Sequence, residues 1–144
     1  MSKRKVYIQL EDSTESIWVE ESDDDFIILN VPFFANGLSF GDLICTKEQS
    51  GRLYYYKTIQ KSGHSTYRFF CLSEDIDQVD FFLSTLTSLG CTYEKGTKFL
   101  YAVDVPPDSD IYAVYDILEL GEKRGIWEFE EADCSHPSIT KSTT

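Results

Sequence analysis

Apolar positions repeat with two different periods along this chain, and the change between them divides it. Over residues 6–60 apolar and polar residues alternate or fall into short runs bounded by Gly, Pro, Asn and Ser. Period two places neighbouring side chains on opposite faces of a strand. It predicts strands over 6–10, 16–20, 26–31, 43–47 and 52–60, with 17–20 and 26–30 forming one hairpin and 43–47 and 52–60 a second. Pro32 has no amide hydrogen and ends the third strand. Asn36-Gly37 and Gln49-Ser50-Gly51 supply turns. Several short strands joined this way predict a strongly bent sheet or partial barrel.

From residue 66 helical spacing appears. Ile76, Val79, Phe82, Leu83, Leu86 and Leu89 recur at three- and four-residue intervals, as do Ile111, Val114, Tyr115 and Leu118. Each set is the apolar stripe of a helix packed on a core. Ser73 is placed to cap the first helix and Asp108 or Ser109 the second, while Gly90 and Gly125 supply stops. Gly121 reads as a weak point inside the second helix. Strands are predicted over 66–72, 91–94, 98–105 and 126–130. The order βαββαβ is the ferredoxin-like pattern, with both helices on one face of a four-stranded antiparallel sheet. The expected fold is α+β. It has a strand-rich, partly barrel-like subdomain over 6–65, a ferredoxin-like subdomain over 66–131 and a disordered tail over 132–144. Residues 1–5 read as a frayed basic tag.

Composition adds core material and a charge bias. Ten Phe, nine Tyr and two Trp in 144 residues argue against a disordered chain. The net charge of −12 argues against nucleic-acid binding, which needs a basic face, and suits a basic protein partner. Acids concentrate in 11–30 and 101–135, whereas 46–68 carries Lys47, Arg52, Lys57, Lys61 and Arg68 against Glu48. Cys45, Cys71, Cys91 and Cys134 are widely spaced and, with only His64 and His136, give no familiar metal-ligand spacing. The first three lie in apolar stretches and read as buried reduced thiols. No signal-peptide pattern opens the chain and no apolar run reaches bilayer length, so the expectation is a cytoplasmic protein with no membrane partner.

Candidate chemistry is sparse. His64, beside Ser62 and Ser65, is the one general-base candidate, but near neighbours in sequence rarely point at each other, and a polar turn is the plainer reading. Phe33 and Phe34, with His64, mark a possible pocket at the junction of the two halves. Asp23, Asp24 and Asp25 form an acidic hairpin tip without the ligand spacing of a calcium loop. Glu128, Glu130 and Glu131 end the last strand, with Glu128 and Glu130 on the face opposite Trp127 and Phe129. No phosphate-binding glycine motif occurs.

Two segments resemble a bacterial family known only as a domain of unknown function. They are Val31-Pro32-Phe33-Phe34-Ala35-Asn36-Gly37-Leu38 with Gly41-Asp42, and Ser62-Gly63-His64-Ser65-Thr66-Tyr67-Arg68. Val103-Asp104-Val105-Pro106-Pro107 and Gly125-Ile126-Trp127-Glu128-Phe129-Glu130 extend the resemblance to about 16–131. It implies a small bacterial protein and assigns no activity. In size and acidity such chains are similar to immunity proteins of toxin systems. The expectation is therefore a non-enzymatic protein, without cofactor, that neutralises a cognate toxin, a basic nuclease, by electrostatic occlusion. Asp23–Asp25 and the acids of the last strand would face that partner. The alternatives are a small-ligand or regulatory module using the junction pocket, and an enzyme using His64.

Overall fold

A computed structural model describes residues 3–97 and 99–137. The strands of the first half are β1 (Lys3–Gln9), β2 (Thr14–Ser22), β3 (Asp25–Ile28), β4 (Leu43–Gln49) and β5 (Arg52–Gln60). They close into a barrel in sequence order. Consecutive strands run antiparallel, so in a ring of five the first and last must run the same way, and β1 does pair parallel with β5 at Tyr7 and Tyr54. Alternation directs Val6, Ile8, Ile17, Val19, Phe26, Ile28 and Ile44 into the barrel, where Ala35 and Leu38 join them. Register shifts near Leu43 and Cys45 bend β4 against β5. The basic residues Lys3, Arg4 and Lys5 are part of β1, not a frayed tag. β3 stops at Ile28, short of the expected 31, because the chain then turns away: the Leu29 amide bonds Trp18 O while the Trp18 amide is taken by Asn30 Oδ1.

The second half comprises β6 (Ser65–Cys71), α1 (Ile76–Ser88), β7 (Thr92–Lys95), β8 (Leu100–Val105), α2 (Ile111–Lys123) and β9 (Trp127–Asp133). Its sheet has the order β7-β8-β6-β9, with every pair antiparallel. Tyr67, Phe69, Tyr101, Val103 and Trp127 share a core with Phe82, Leu83 and Leu86 of α1 and Val114 and Leu118 of α2. Phe69 packs between Tyr101 and Trp127, at ring separations of 4.7 and 4.1 Å. The architecture is thus mixed α+β: antiparallel sheets and, among the described residues, two helices.

Local details depart from the sequence reading. The N-caps are Asp75 and Asp110, one or two residues beyond the expected Ser73 and Asp108 or Ser109. Ser73 instead accepts the Asp75 amide through Oγ. Ile76 is 72% exposed, outside the predicted stripe: it is the first residue of α1, and the buried face begins at Val79. Of the thiols only Cys91 is buried; Cys45 and Cys71 are half-buried. Ala132 and Asp133 belong to β9, and Ser135 and His136 bond Ser65 of β6, so the expected disordered tail does not begin at 132. Residues 138–144 lie outside the described part.

Candidate functional site

The segment 29–42 leaves the barrel after β3 and returns to β4, and its ends are pinned together. The Ile28 amide bonds Asp42 O, and the Gly41 amide bonds Ile28 O. Between these points the segment crosses onto the sheet face that the helices leave uncovered. Irregular backbone removed from water needs a partner for each polar group. Side chains from both halves provide them.

Glu15, in the inward phase of β2, is only 8% exposed. Its carboxylate accepts the amides of Phe33, Phe34 and Ala35 at 2.6, 3.0 and 2.8 Å. Arg68, buried at the centre of the sheet, donates to Ala35 O at 2.8 Å and to Asn36 Oδ1 at 2.5 Å, and its Nε meets Glu130 at 2.8 Å. Glu94 on β7 takes the Val31 amide, and Ala132 O on β9 takes the Gly37 amide. The distinctive residues of 31–42 and 62–68 thus meet in one network.

A second cluster lies beside it. Lys61 Nζ contacts Asp42 and Asp133, each at 2.6 Å, and donates to Gly37 O at 2.9 Å. Burial opposes the charge of Lys61, but the two carboxylates outweigh it and hold its pKa above 10.5. Asp42 also accepts the amides of Ser39 and Ser62. Ser39 Oγ bridges Thr66 and Asp133. Gly41, at φ +85°, lies so close to Ser62 that a Cβ would stand 3.1 Å from the Ser62 Cβ.

The two histidines follow. His64 Nδ1 is 2.7 Å from Asp104 Oδ1, with Phe40 stacked obliquely at 5.3 Å. Burial pushes the Asp104 carboxyl above its ordinary range, although the His64 contact pulls the other way. The hydroxyls beside His64 are engaged elsewhere. Ser62 Oγ donates to Phe40 O and accepts the His64 amide. Ser65 is buried and donates to His136 Nδ1 at 2.6 Å, while His136 Nε2 donates to Pro106 O. Every buried side-chain N or O atom among the described residues has a partner. No group of three or more His, Cys, Asp or Glu residues among them is placed to hold a metal.

The residues singled out from sequence are not brought together. Asp23 and Asp24 are exposed at the β2–β3 turn, and Asp25 pairs with Ser22. Glu130 is tied to Arg68, and Glu131 accepts the Tyr67 hydroxyl at 2.7 Å on the helix-facing side. Glu128 is free of such ties and borders a trough of about 210 Å³ with Phe70, Leu100, Phe129 and Glu130. Phe33, Phe34 and His64 have three different surroundings instead of a shared pocket: Phe33 covers Gly96, Phe34 is 58% exposed, and His64 faces Asp104. Glu15, Arg68, Lys61, Asp104, Asp133 and His136 form the junction, and sequence reasoning gave none of them that role. Only Glu15 carried a usable signal, as an acid in phase with Ile17 and Val19.

The α+β architecture, a barrel joined to a helix-backed sheet, is shared with a solved protein. A crystal structure of a hypothetical protein from Neisseria gonorrhoeae superposes with a TM-score of 0.76 at 22% identity, over 96% of this chain and 99% of that one. The model of the family described as domain of unknown function (DUF4265) matches residues 15–129, and the chain belongs to that family. No curated protein matches the chain. Among the described residues no helix is long and apolar enough to cross a membrane.

Proposed function

We propose that the chain is a non-enzymatic binding protein of the immunity type, which neutralises a cognate toxin, a basic nuclease, by covering it. The observation that carries this reading is the acid-rimmed trough on the uncovered sheet face. Phe70 and Leu100 form its apolar part, Glu128 and Glu130 its rim, and Phe99 packs beside Phe70. Exposed apolar side chains bordered by carboxylates suit a partner that presents apolar and basic groups together. The junction network supports the reading from the other side: the Ser62 and Ser65 hydroxyls and the His136 ring are engaged in holding Phe40 and residues 135 and 136 in place. We read the second half as ferredoxin-like in the same spirit, supported by its βαββαβ order and antiparallel pairing.

The test is co-purification with the product of the adjacent gene, at low and high salt, and protection of cells expressing that product. Binding weakened by salt, with protection lost in a Phe70→Ala, Glu128→Lys variant that melts normally, is the expected result. A chain that neither binds the product nor protects the cells overturns the proposal.

A further inference from the structure

The net charge of −12 hides a basic face on the barrel. β1 and β5 contain no acid and between them carry Lys3, Arg4, Lys5, Arg52 and Lys57, and Lys47 lies on β4 beside β5. Pairing makes β2, β1, β5 and β4 successive neighbours. In β1 the inward residues are Val6 and Ile8, which leaves Lys5 and Tyr7 on the outside. In β5, Leu53 and Tyr55 pack on the barrel core, which leaves Arg52, Tyr54 and Tyr56 outside.

Cations and rings interleave across this face. Lys5 Nζ lies 5.1 Å from the centre of Trp18, and the Arg52 guanidinium 4.6 Å from that of Tyr7. Tyr7 packs on Tyr54 at 5.9 Å, and Lys47 stands 3.8 Å over Tyr56. Lys57 approaches the same Tyr56 ring. In a chain with 25 acids, none of these cations has a carboxylate partner among the described residues, whereas Lys61 and Arg68 do. Acids border this face at Glu20, opposite Lys3, at Glu48, opposite Leu53, and at Glu11 and Asp12 in the turn after β1. A hollow of about 370 Å³ opens on this face between Gln9, Lys47, Gln49, Tyr54, Tyr55 and Tyr56.

We propose that this face binds single-stranded nucleic acid, with Lys5, Lys47, Arg52 and Lys57 on phosphates and the Tyr54 and Tyr56 rings stacking on bases. Cations without carboxylate partners beside the exposed Tyr56 ring and the half-buried Tyr54 ring meet both demands of such a ligand, a charged backbone and flat bases. The hollow is within the size range of small-ligand sites, and Gln9 and Gln49 give it amide donors and acceptors. An acidic polypeptide would use the cations and leave the rings idle. Acids on other faces repel a polyanion weakly, because physiological salt screens charge beyond about 8 Å. The four strands span roughly 14 Å, three inter-strand steps of about 4.8 Å, which places the site at the small end, about 4 nucleotides. The proposal goes beyond the toxin-binding reading and concerns different strands.

The test is fluorescence anisotropy of a labelled oligothymidylate of about 12 nucleotides titrated with the whole chain. Binding should weaken with salt, with a log–log slope reduced by about 0.7 for each phosphate-binding cation removed. Lys47→Glu with Arg52→Glu should weaken binding by at least about tenfold, while Lys123→Glu, the same kind of reversal on α2, leaves it unchanged. Tyr56→Ala should weaken it by at least about fivefold and Tyr56→Phe should restore it, since the ring and not the hydroxyl stacks. Absence of binding at low salt, or binding indifferent to Lys47 and Arg52, overturns the proposal. Equal competition by polyglutamate with no effect of Tyr56→Ala also overturns it, in favour of an acidic polypeptide ligand.

Discussion

A single carboxylate decides whether 31–37 can lie where it does. Glu15 gives three backbone amides their acceptor inside an environment with little water. Glu15→Gln keeps the shape but turns an amide NH₂ toward at least one N–H, leaving a buried donor unmatched. The expected cost is about 2 kcal/mol, read as a lower urea midpoint with unchanged slope. A midpoint equal to wild type would mean that water reaches these amides. Glu15 lies in phase with Ile17 and Val19, a signal of burial, but the predicted strand began at 16, and the purpose of Glu15 was not legible because the amides it serves lie 18 to 20 residues away on an irregular segment. The same holds for His64 and Asp104, which are 40 residues apart. Local pattern carries no information about such pairings.

Among the elements, α2 shows most clearly how context overrides propensity. Gly121 reads as a defect in the helix, yet it is buried where the Trp127 indole crosses α2. A Cβ there would stand 2.5 Å from Trp127 Cε2, and the indole Nε1 is held by Leu118 O at 3.0 Å. Gly121→Ala therefore forfeits the helix gain of about 1 kcal/mol that an exposed site would give and adds a packing strain of about 1–3 kcal/mol. Thermal melting should show a lowered midpoint and near-ultraviolet circular dichroism an altered Trp signal; a raised midpoint would refute the close approach. Element types were legible because their periods were strong, as in Val79, Phe82, Leu83 and Leu86 of α1. The caps shifted because Ser73, Asp75, Asp108, Ser109 and Asp110 all offer side-chain acceptors, and tertiary position selects among them. The strand endpoint at Ile28 moved because 29–31 bond to the sheet half of the molecule and to Trp18, not to β4.

At the scale of the whole molecule, buried titratable groups make alkali the vulnerable direction. Burial, with Asp104 nearby, pushes the Cys91 thiol from 9.0 up to about 12. A group that holds its proton more tightly when folded contributes fully below its unfolded pKa and loses that contribution as pH climbs through the folded one. For Cys91 the loss runs from 9.0 to about 12. Tyr67, raised by burial and by Glu131, adds to it above 10.0, and Lys61 does so above 10.5. The urea midpoint should fall steadily between about pH 9 and about pH 12, and Cys91→Ala should flatten the first part of that fall. A midpoint constant over this range would contradict the buried placement of these groups. Net charge, too, proved a coarse guide at this scale, since it averages a basic barrel face with acidic surroundings.

The β9 strand has a consequence for how the chain comes into being. Synthesis proceeds from the amino terminus, and the barrel strands emerge together and early. The amide of Gly37 and the ammonium of Lys61 then wait for Ala132 and Asp133, which the ribosome delivers about a hundred residues after Gly37. During that interval 31–42 has a finished barrel behind it and no sheet in front. In that interval the segment is open to proteases and chaperones, and a messenger cut short before the codon for Asp133 leaves its product without the Lys61–Asp133 contact permanently.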